Sequence, residues 1–210
     1  MKLDELLNKP KLIGLVADVN SGKSMALYHI IELLKSDYKF QLYTFGLRMG
    51  FDFAREIYSL DELEQITDSV IILDETFNLF DFDSRPKRKQ IEQTFRLINH
   101  NNNVLIMCLL PENCKKFLAS KLDAVMFKKS TIADFINGSM TKRIVQGYCG
   151  YEKGTTVLNV PIDRMLIYNG KKFSGMHIPY YKKYDTKANN EVILKPKQNN
   201  VITKKKGGKS

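Results

Sequence analysis

The sequence predicts an α/β protein: a three-layer sandwich with a mostly parallel central sheet, C-terminal antiparallel hairpins and a flexible basic tail. Three observations carry this reading. Short runs of branched apolar residues alternate with segments of helical periodicity as far as Phe127, the pattern of strand–helix–strand units. Beyond residue 140 the chain changes to short strands, with Asn169-Gly170 as a hairpin turn between the last two. After about residue 186 both aromatics and apolar periodicity end, so residues 187–210 are expected to be a tail.

Taken in order, Lys11–Val16 (KLIGLV) is a buried strand and Met25–Lys35 a helix, with Leu27, Ile30, Ile31 and Leu34 on one side. Lys39–Phe45 alternates and makes a second strand. Ser59 with Glu62 three residues on is a capping box that opens a short helix to Ile66. Val70–Leu73 is a third strand, and Phe77–Arg88 reads as a polar, basic loop. Lys89–Asn99 is helical through Ile91, Phe95 and Ile98, and Asn101-Asn102-Asn103 is turn chemistry. Val104–Leu110 and Leu122–Phe127 are the fourth and fifth buried strands. Short strands are expected near 142–149, 155–160, 163–168 and 171–176. Residues 1–186 are therefore expected to form one domain.

The length of 210 residues and the 43% hydrophobic fraction suit one α/β domain with a sizeable core. No apolar run approaches the roughly 20 residues of a membrane span. The first ten residues carry Asp4 and Glu5 and do not read as a signal peptide. Cys108, Cys114 and Cys149 form neither a CxxC pair nor an even framework, which suits an intracellular, reducing setting. Net charge is +10, and the stretch from Lys182 to Ser210 holds nine lysines against Asp185 and Glu191. Such a tail suits a polyanionic partner through counterion release; a solubilising end is the equal alternative.

Ala17-Asp18-Val19-Asn20-Ser21-Gly22-Lys23-Ser24 matches GxxxxGK[ST] except for alanine at the first position. A strand before it and a helix after it are the context that a phosphate-binding loop requires. Backbone N–H groups from Asp18 to Met25 can surround the β-phosphate. Lys23 can reach the β/γ oxygens, and the Ser24 hydroxyl can ligate Mg²⁺. Gly22 permits close backbone approach to the phosphate. A chance GKS in a polar turn is the bland alternative, but it leaves the flanking strand and helix unexplained.

A second motif, Val70-Ile71-Ile72-Leu73-Asp74-Glu75, is an apolar strand ending in two acids. Asp74 can hold Mg²⁺, and Glu75 can polarise an attacking water. Many buried strands end in acids that merely cap the next turn. About fifty residues beyond a phosphate loop, with a strand between, the pair instead points to a P-loop NTPase binding ATP with Mg²⁺. It favours the ATPase branch with an extra strand and a catalytic glutamate.

Arg85 and Arg88, in SRPKRK, are candidates for an arginine supplied to a neighbouring subunit's site, with Arg96 and Arg143 behind them. Contact with DNA phosphates and a functionless surface run are the other readings of this segment. His29, His100 and His177 share no metal-ligand spacing. Tyr180, Tyr181 and Tyr184 beside Lys182 and Lys183 could stack on bases, but a packed terminal strand with a basic edge is the favoured account.

NSGKS at 20–24, SLDELEQITDSVIILDE at 59–75, FDFDSRPKRKQIEQTFRLINHNNNVLIM after it and PYYKKYDT at 179–186 together resemble the small FtsK/HerA-type ATPases. They most resemble the genome-packaging ATPases of double-stranded DNA viruses with an internal membrane. The resemblance covers residues 10–186. It implies a ring of five or six subunits that couples ATP hydrolysis to translocation of double-stranded DNA. It also implies partners at a capsid vertex or in the viral membrane, and a place in the host cytoplasm or the virion. Lys23 and Ser24 would take the phosphate and Mg²⁺ roles, Asp74 the metal role and Glu75 that of the base. The family's polar sensor at the end of the next strand is missing: the stretch reads Met107-Cys108-Leu109-Leu110, with Glu112 and Asn113 beyond it. That departure keeps open a second reading, a nucleotide-binding virion assembly protein related to filamentous-phage export ATPases. A nucleotide kinase would bring an arginine-rich lid, which is not evident.

Overall fold

The computed structural model describes residues 7, 11–18, 20–36, 40–47, 50–74, 76, 80, 85–111, 116–128, 160–169 and 173–184. The chain divides into two compact units, Met1–Tyr180 and Tyr181–Ser210. In the second, Lys182–Tyr184 is one 3₁₀ turn, and the Tyr181 and Tyr184 rings lie 5.6 Å apart. The strands expected at 142–149 and at 155–159 and the tail at 187–210 lie outside the described residues.

In the first unit the described strands are β1 (Lys11–Val16), β2 (Gln41–Phe45), β3 (Ala54–Glu56), β4 (Ser69–Leu73), β5 (Val104–Leu109), β6 (Ala124–Phe127), β7 (Arg164–Tyr168) and β8 (Phe173–His177). Among the described residues the helices include α1 (Lys23–Ser36), α2 (Leu60–Glu64), α3 (Arg85–His100) and α4 (Lys116–Ala119). One sheet holds the strands in the order β3-β2-β4-β5-β1-β6-β7-β8. Pairing is parallel from β3 through β6, and antiparallel from β6 to β7 and β7 to β8. The mostly parallel sandwich with an antiparallel extension is thus the observed fold.

Both faces of the sheet are covered, so its central strands are apolar throughout rather than alternating. Ile91, Phe95 and Ile98 of α3 join Leu12, Val16, Ile71, Leu73, Leu105, Met107, Val125 and Phe127 in one core cluster. Residues of the opposite parity, among them Ile13, Leu15, Val70, Ile72 and Ile106, are also buried. Leu34 of α1 lines a cavity of about 90 Å³ with Leu42 and Val70, so α1 covers that second face. Each such buried aliphatic side chain contributes about 1.5–3 kcal/mol.

Asn103 ties the start of β4 to the start of β5. It is fully buried, accepts from Ser69 N at 3.0 Å and donates to Ile66 O at 2.6 Å. Asn102 adopts a left-handed φ of 58°, as the Asn-rich turn requires. Ser59 caps α2 as expected: its hydroxyl accepts from Glu62 N at 3.3 Å, and the Glu62 carboxylate accepts from Tyr58 N at 3.2 Å.

Several elements differ from expectation. The basic segment taken as a loop up to Arg88 is the first turn of α3, which begins at Arg85. Pro86 suits that place, because its missing N–H would have no intrahelical partner there. β3 and α4 are too short to carry a periodic signal; β3 is the three-residue run Ala-Arg-Glu at the sheet edge. β6 begins two residues late because Asp123 leaves the strand to accept from Leu12 N at 2.8 Å. The β7–β8 hairpin exists, with Tyr168 paired to Phe173; Gly170 of the expected Asn169-Gly170 turn lies outside the described residues.

Candidate nucleotide site

The parallel register sets Val16 beside Leu109 and Phe127, and Leu73 beside Met107. The carboxyl ends of β1, β4, β5 and β6 therefore reach one edge of the sheet, where open α/β sheets bind ligands. The phosphate loop leaves β1 with Ala17 N bonded to Leu109 O at 3.1 Å. Ala17 is fully buried and keeps a negative φ, so alanine serves where the motif usually has glycine. Asn20 and Gly22 turn left-handed, at φ 59° and 85°. Ser21 closes the loop through its hydroxyl and N–H, 2.7 and 3.3 Å from Asp18 O. Gly22 O accepts from Ala26 N at 3.0 Å. The N–H groups of Lys23, Ser24 and Met25 are thus first-turn donors of α1, available to an anion.

Lys23 Nζ lies 2.8 Å from Asp74 Oδ1. β5 separates β1 from β4 in the sheet, so this ion pair passes over the end of β5. Asp74 is 6% exposed, and its N–H bonds Phe45 O at 2.9 Å. Three further groups complete this edge, and none stood out in the sequence. The Cys108 thiol is pushed well up by burial and then by the Asp74 carboxylate, to which it hydrogen-bonds, with Lys23 opposing. The strand read as lacking a polar side chain thus offers one, of a kind easily passed over as a small apolar residue. Thr76 is fully buried, and its hydroxyl donates to Cys108 O at 2.8 Å; Leu73 O lies 3.3 Å away. Lys128 ends β6 as Asp74 ends β4, a charge closing an apolar run. It is fully buried, and its Nζ donates to Ile162 O.

Of the expected residues, Asp18, Asn20, Ser21, Gly22, Lys23, Ser24, Met25 and Asp74 are brought together here. Val19, Glu75, Glu112, Asn113, Arg143 and the side chain of Arg85 lie outside the described residues. Arg88 sits with its guanidinium 5.6 Å from the Phe117 ring centroid, and Arg96 is exposed on α3. His29 is buried and its pKa is lowered by burial, then by His177. His177 Nε2 is 3.7 Å from Asp163. Among the described residues no group of three or more His, Cys, Asp or Glu side chains could hold a metal, and no helix is long and apolar enough to cross a membrane.

The residues fit ATP with Mg²⁺. The left-handed φ at Gly22 opens the loop backbone. Ser24 and Asp74 are hard oxygen donors, of the sort Mg²⁺ takes from protein while substrate phosphates supply the rest.

No protein-family model matches the sequence, and no curated protein matches it. Solved structures do. The genome packaging NTPase B204 from Sulfolobus turreted icosahedral virus 2, in complex with sulfate, superposes with a TM-score of 0.60 at 15% identity, over 81% of this chain and 97% of that one. The same protein in complex with ATP-gammaS gives 0.60 at 16% identity, covering 80% and 98%. The pCW3 conjugation coupling protein TcpA gives 0.57 at 14% identity, covering 89% of this chain and 65% of that one. The chain shares its mostly parallel α/β fold, of the P-loop NTPase kind, with a viral genome packaging NTPase and a conjugation coupling protein.

Proposed function

We propose that the chain is an ATPase that translocates double-stranded DNA, and that it packages a viral genome into a preformed capsid. The single observation that carries this reading is the Lys23–Asp74 contact across β5. It joins a phosphate-loop lysine to a strand-end acid in the strand order that places a third strand between them. Similarity in fold to a genome-packaging NTPase and a coupling protein supports the DNA-moving role.

Lys23 and the loop N–H groups bind the β- and γ-phosphates. Mg²⁺, held by Ser24 and Asp74, would neutralise phosphate charge when bound. On nucleotide entry the Lys23 ammonium exchanges its carboxylate partner for phosphate oxygens. Glu75 then orients and deprotonates the attacking water. Arg85 and Arg88 are the candidates for stabilising transition-state charge in the site of a neighbouring subunit, within a ring of five or six copies. α3 supports contact with DNA: Lys87, Lys89 and Arg96 are exposed, while Glu92 is drawn off by Lys121 at 3.0 Å. Partners at a capsid vertex or in a viral membrane complete the proposal.

The test is steady-state ATP hydrolysis with and without double-stranded DNA. Activity that rises with DNA and is lost in Glu75→Gln and Lys23→Ala supports it. Nucleotide binding with no hydrolysis in either condition overturns the motor and favours an assembly protein.

A further inference from the structure

Among the described residues, Lys128 carries a buried charge with no acidic side chain hydrogen-bonded to it. Its side chain is 0% exposed. Its hydrogen-bond partner among the described residues is Ile162 O, which accepts one of three ammonium protons and brings no formal charge. Asp163, which raises the lysine's pKa somewhat, is a half-exposed side chain beside His177. Burying an ammonium against a carbonyl alone costs several kcal/mol, a cost that a bound anion would offset.

The position says which anion. Lys128 N bonds Val16 O at 3.1 Å, which places the residue beside the start of the phosphate loop. β6 and β5 lie on opposite sides of β1, so Lys128 flanks the loop from the side opposite Asp74. A Cβ built on Gly22 would stand 3.4 Å from Lys128 Nζ and 3.0 Å from Ile162 Cγ1. The turn from Pro161 to Arg164, closed by Arg164 N on Pro161 O at 2.9 Å, therefore bears on the loop together with the lysine.

We propose that Lys128 is a second phosphate-binding cation of the nucleotide site, its buried charge balanced by the phosphate chain of the bound nucleotide. This rests on the nucleotide-binding reading of the loop. Its bond to Ile162 O holds the 161–164 turn against Gly22 in the same stroke.

The test uses the full chain and measures affinity for Mg·ATP and for inorganic tripolyphosphate, with the melting temperature of the ligand-free protein alongside. Lys128→Met removes the charge and keeps an unbranched stem. Lys128→Gln removes the charge and keeps a donor for Ile162 O. Both variants are expected to bind both ligands about tenfold or more weaker, with an unchanged or raised melting temperature, because a buried charge has gone. Wild-type affinity in both variants while Lys23→Ala abolishes binding overturns the proposal and leaves the nucleotide site standing. A defect confined to Lys128→Met, or one that tracks a fallen melting temperature, assigns the lysine to holding the turn and overturns it. Loss of ATP affinity without loss of tripolyphosphate affinity overturns it as well. A wild-type protein that binds neither ligand removes the nucleotide site itself.

Discussion

Lys23 and Asp74, fifty-one residues apart in sequence, meet at 2.8 Å across the end of β5. The contact is mostly enclosed on the lysine side and nearly closed on the acid side, with side-chain exposures of 22% and 9%. It therefore ties the start of α1 to the end of β4.

Lys23→Ala leaves Asp74 buried beside the Cys108 thiol without its ion-pair partner. Stability of the nucleotide-free protein is expected to fall by about 1–3 kcal/mol, besides the loss of ATP binding. Removing both charges in Lys23→Ala/Asp74→Ala should recover part of that loss. Urea denaturation of the four proteins in a double-mutant cycle measures the coupling; strict additivity would mean the pair does not act as a unit.

Thr76 follows Glu75 directly and is pinned to β5 through Cys108 O at 2.8 Å. It is a positioning residue for the segment that carries the proposed base. Thr76→Val keeps the shape and removes the hydroxyl, so kcat should drop about tenfold with KM for ATP little changed, and Thr76→Ser should restore it. A parallel change in KM, or no rescue by serine, would reduce Thr76 to a packing role.

Gly22 needs its glycine for two reasons that act together. Its φ of 85° is left-handed, and a Cβ would press on Ile162 Cγ1 at 3.0 Å. Gly22→Ala should therefore distort the loop at a cost of about 1–3 kcal/mol and weaken ATP binding more than it lowers the melting temperature. Isothermal titration and thermal melts on the same preparation separate the two.

Much of this was legible in the sequence, and what was not has a physical reason. β1, β4, β5 and β6 are short, continuous apolar runs, because each is buried on both faces of a parallel sheet. GKS was readable as a motif set between a strand and a helix, and the Asp-Glu pair because it ends an apolar run about fifty residues beyond that motif. The start of α3 was hidden because Arg85, Lys87 and Arg88 set positive charge where the helix dipole favours acids. β3 was hidden because an edge strand of three residues has no room for a period. Thr76 and Lys128 escaped notice because their roles depend on partners thirty-two and thirty-four residues away, a relation that only the sheet order creates.

The Lys128 ammonium also makes stability depend on pH in a direction opposite to that of an ordinary paired lysine. Burial, with Asp163 opposing, lowers its pKa from 10.5 to about 8. Between those values the unfolded chain keeps a proton that the folded protein has released, so the unfolded state binds more protons and stability rises with pH. The slope contributed by this one group is at most ~1.4 kcal/mol per pH unit in that window. Below about pH 8 both states are protonated and the cost of the buried charge is constant. Chemical denaturation of wild type and Lys128→Met at pH 7.5, 8.5 and 9.5 should show the difference in stability between them, largest at the lowest pH, shrinking as pH rises. Saturating tripolyphosphate should flatten the trend, because an anion beside the ammonium raises its pKa towards the unfolded value. A wild-type–variant difference that stays constant across the three pH values would mean that the lysine keeps its proton throughout, and that burial does not weaken it.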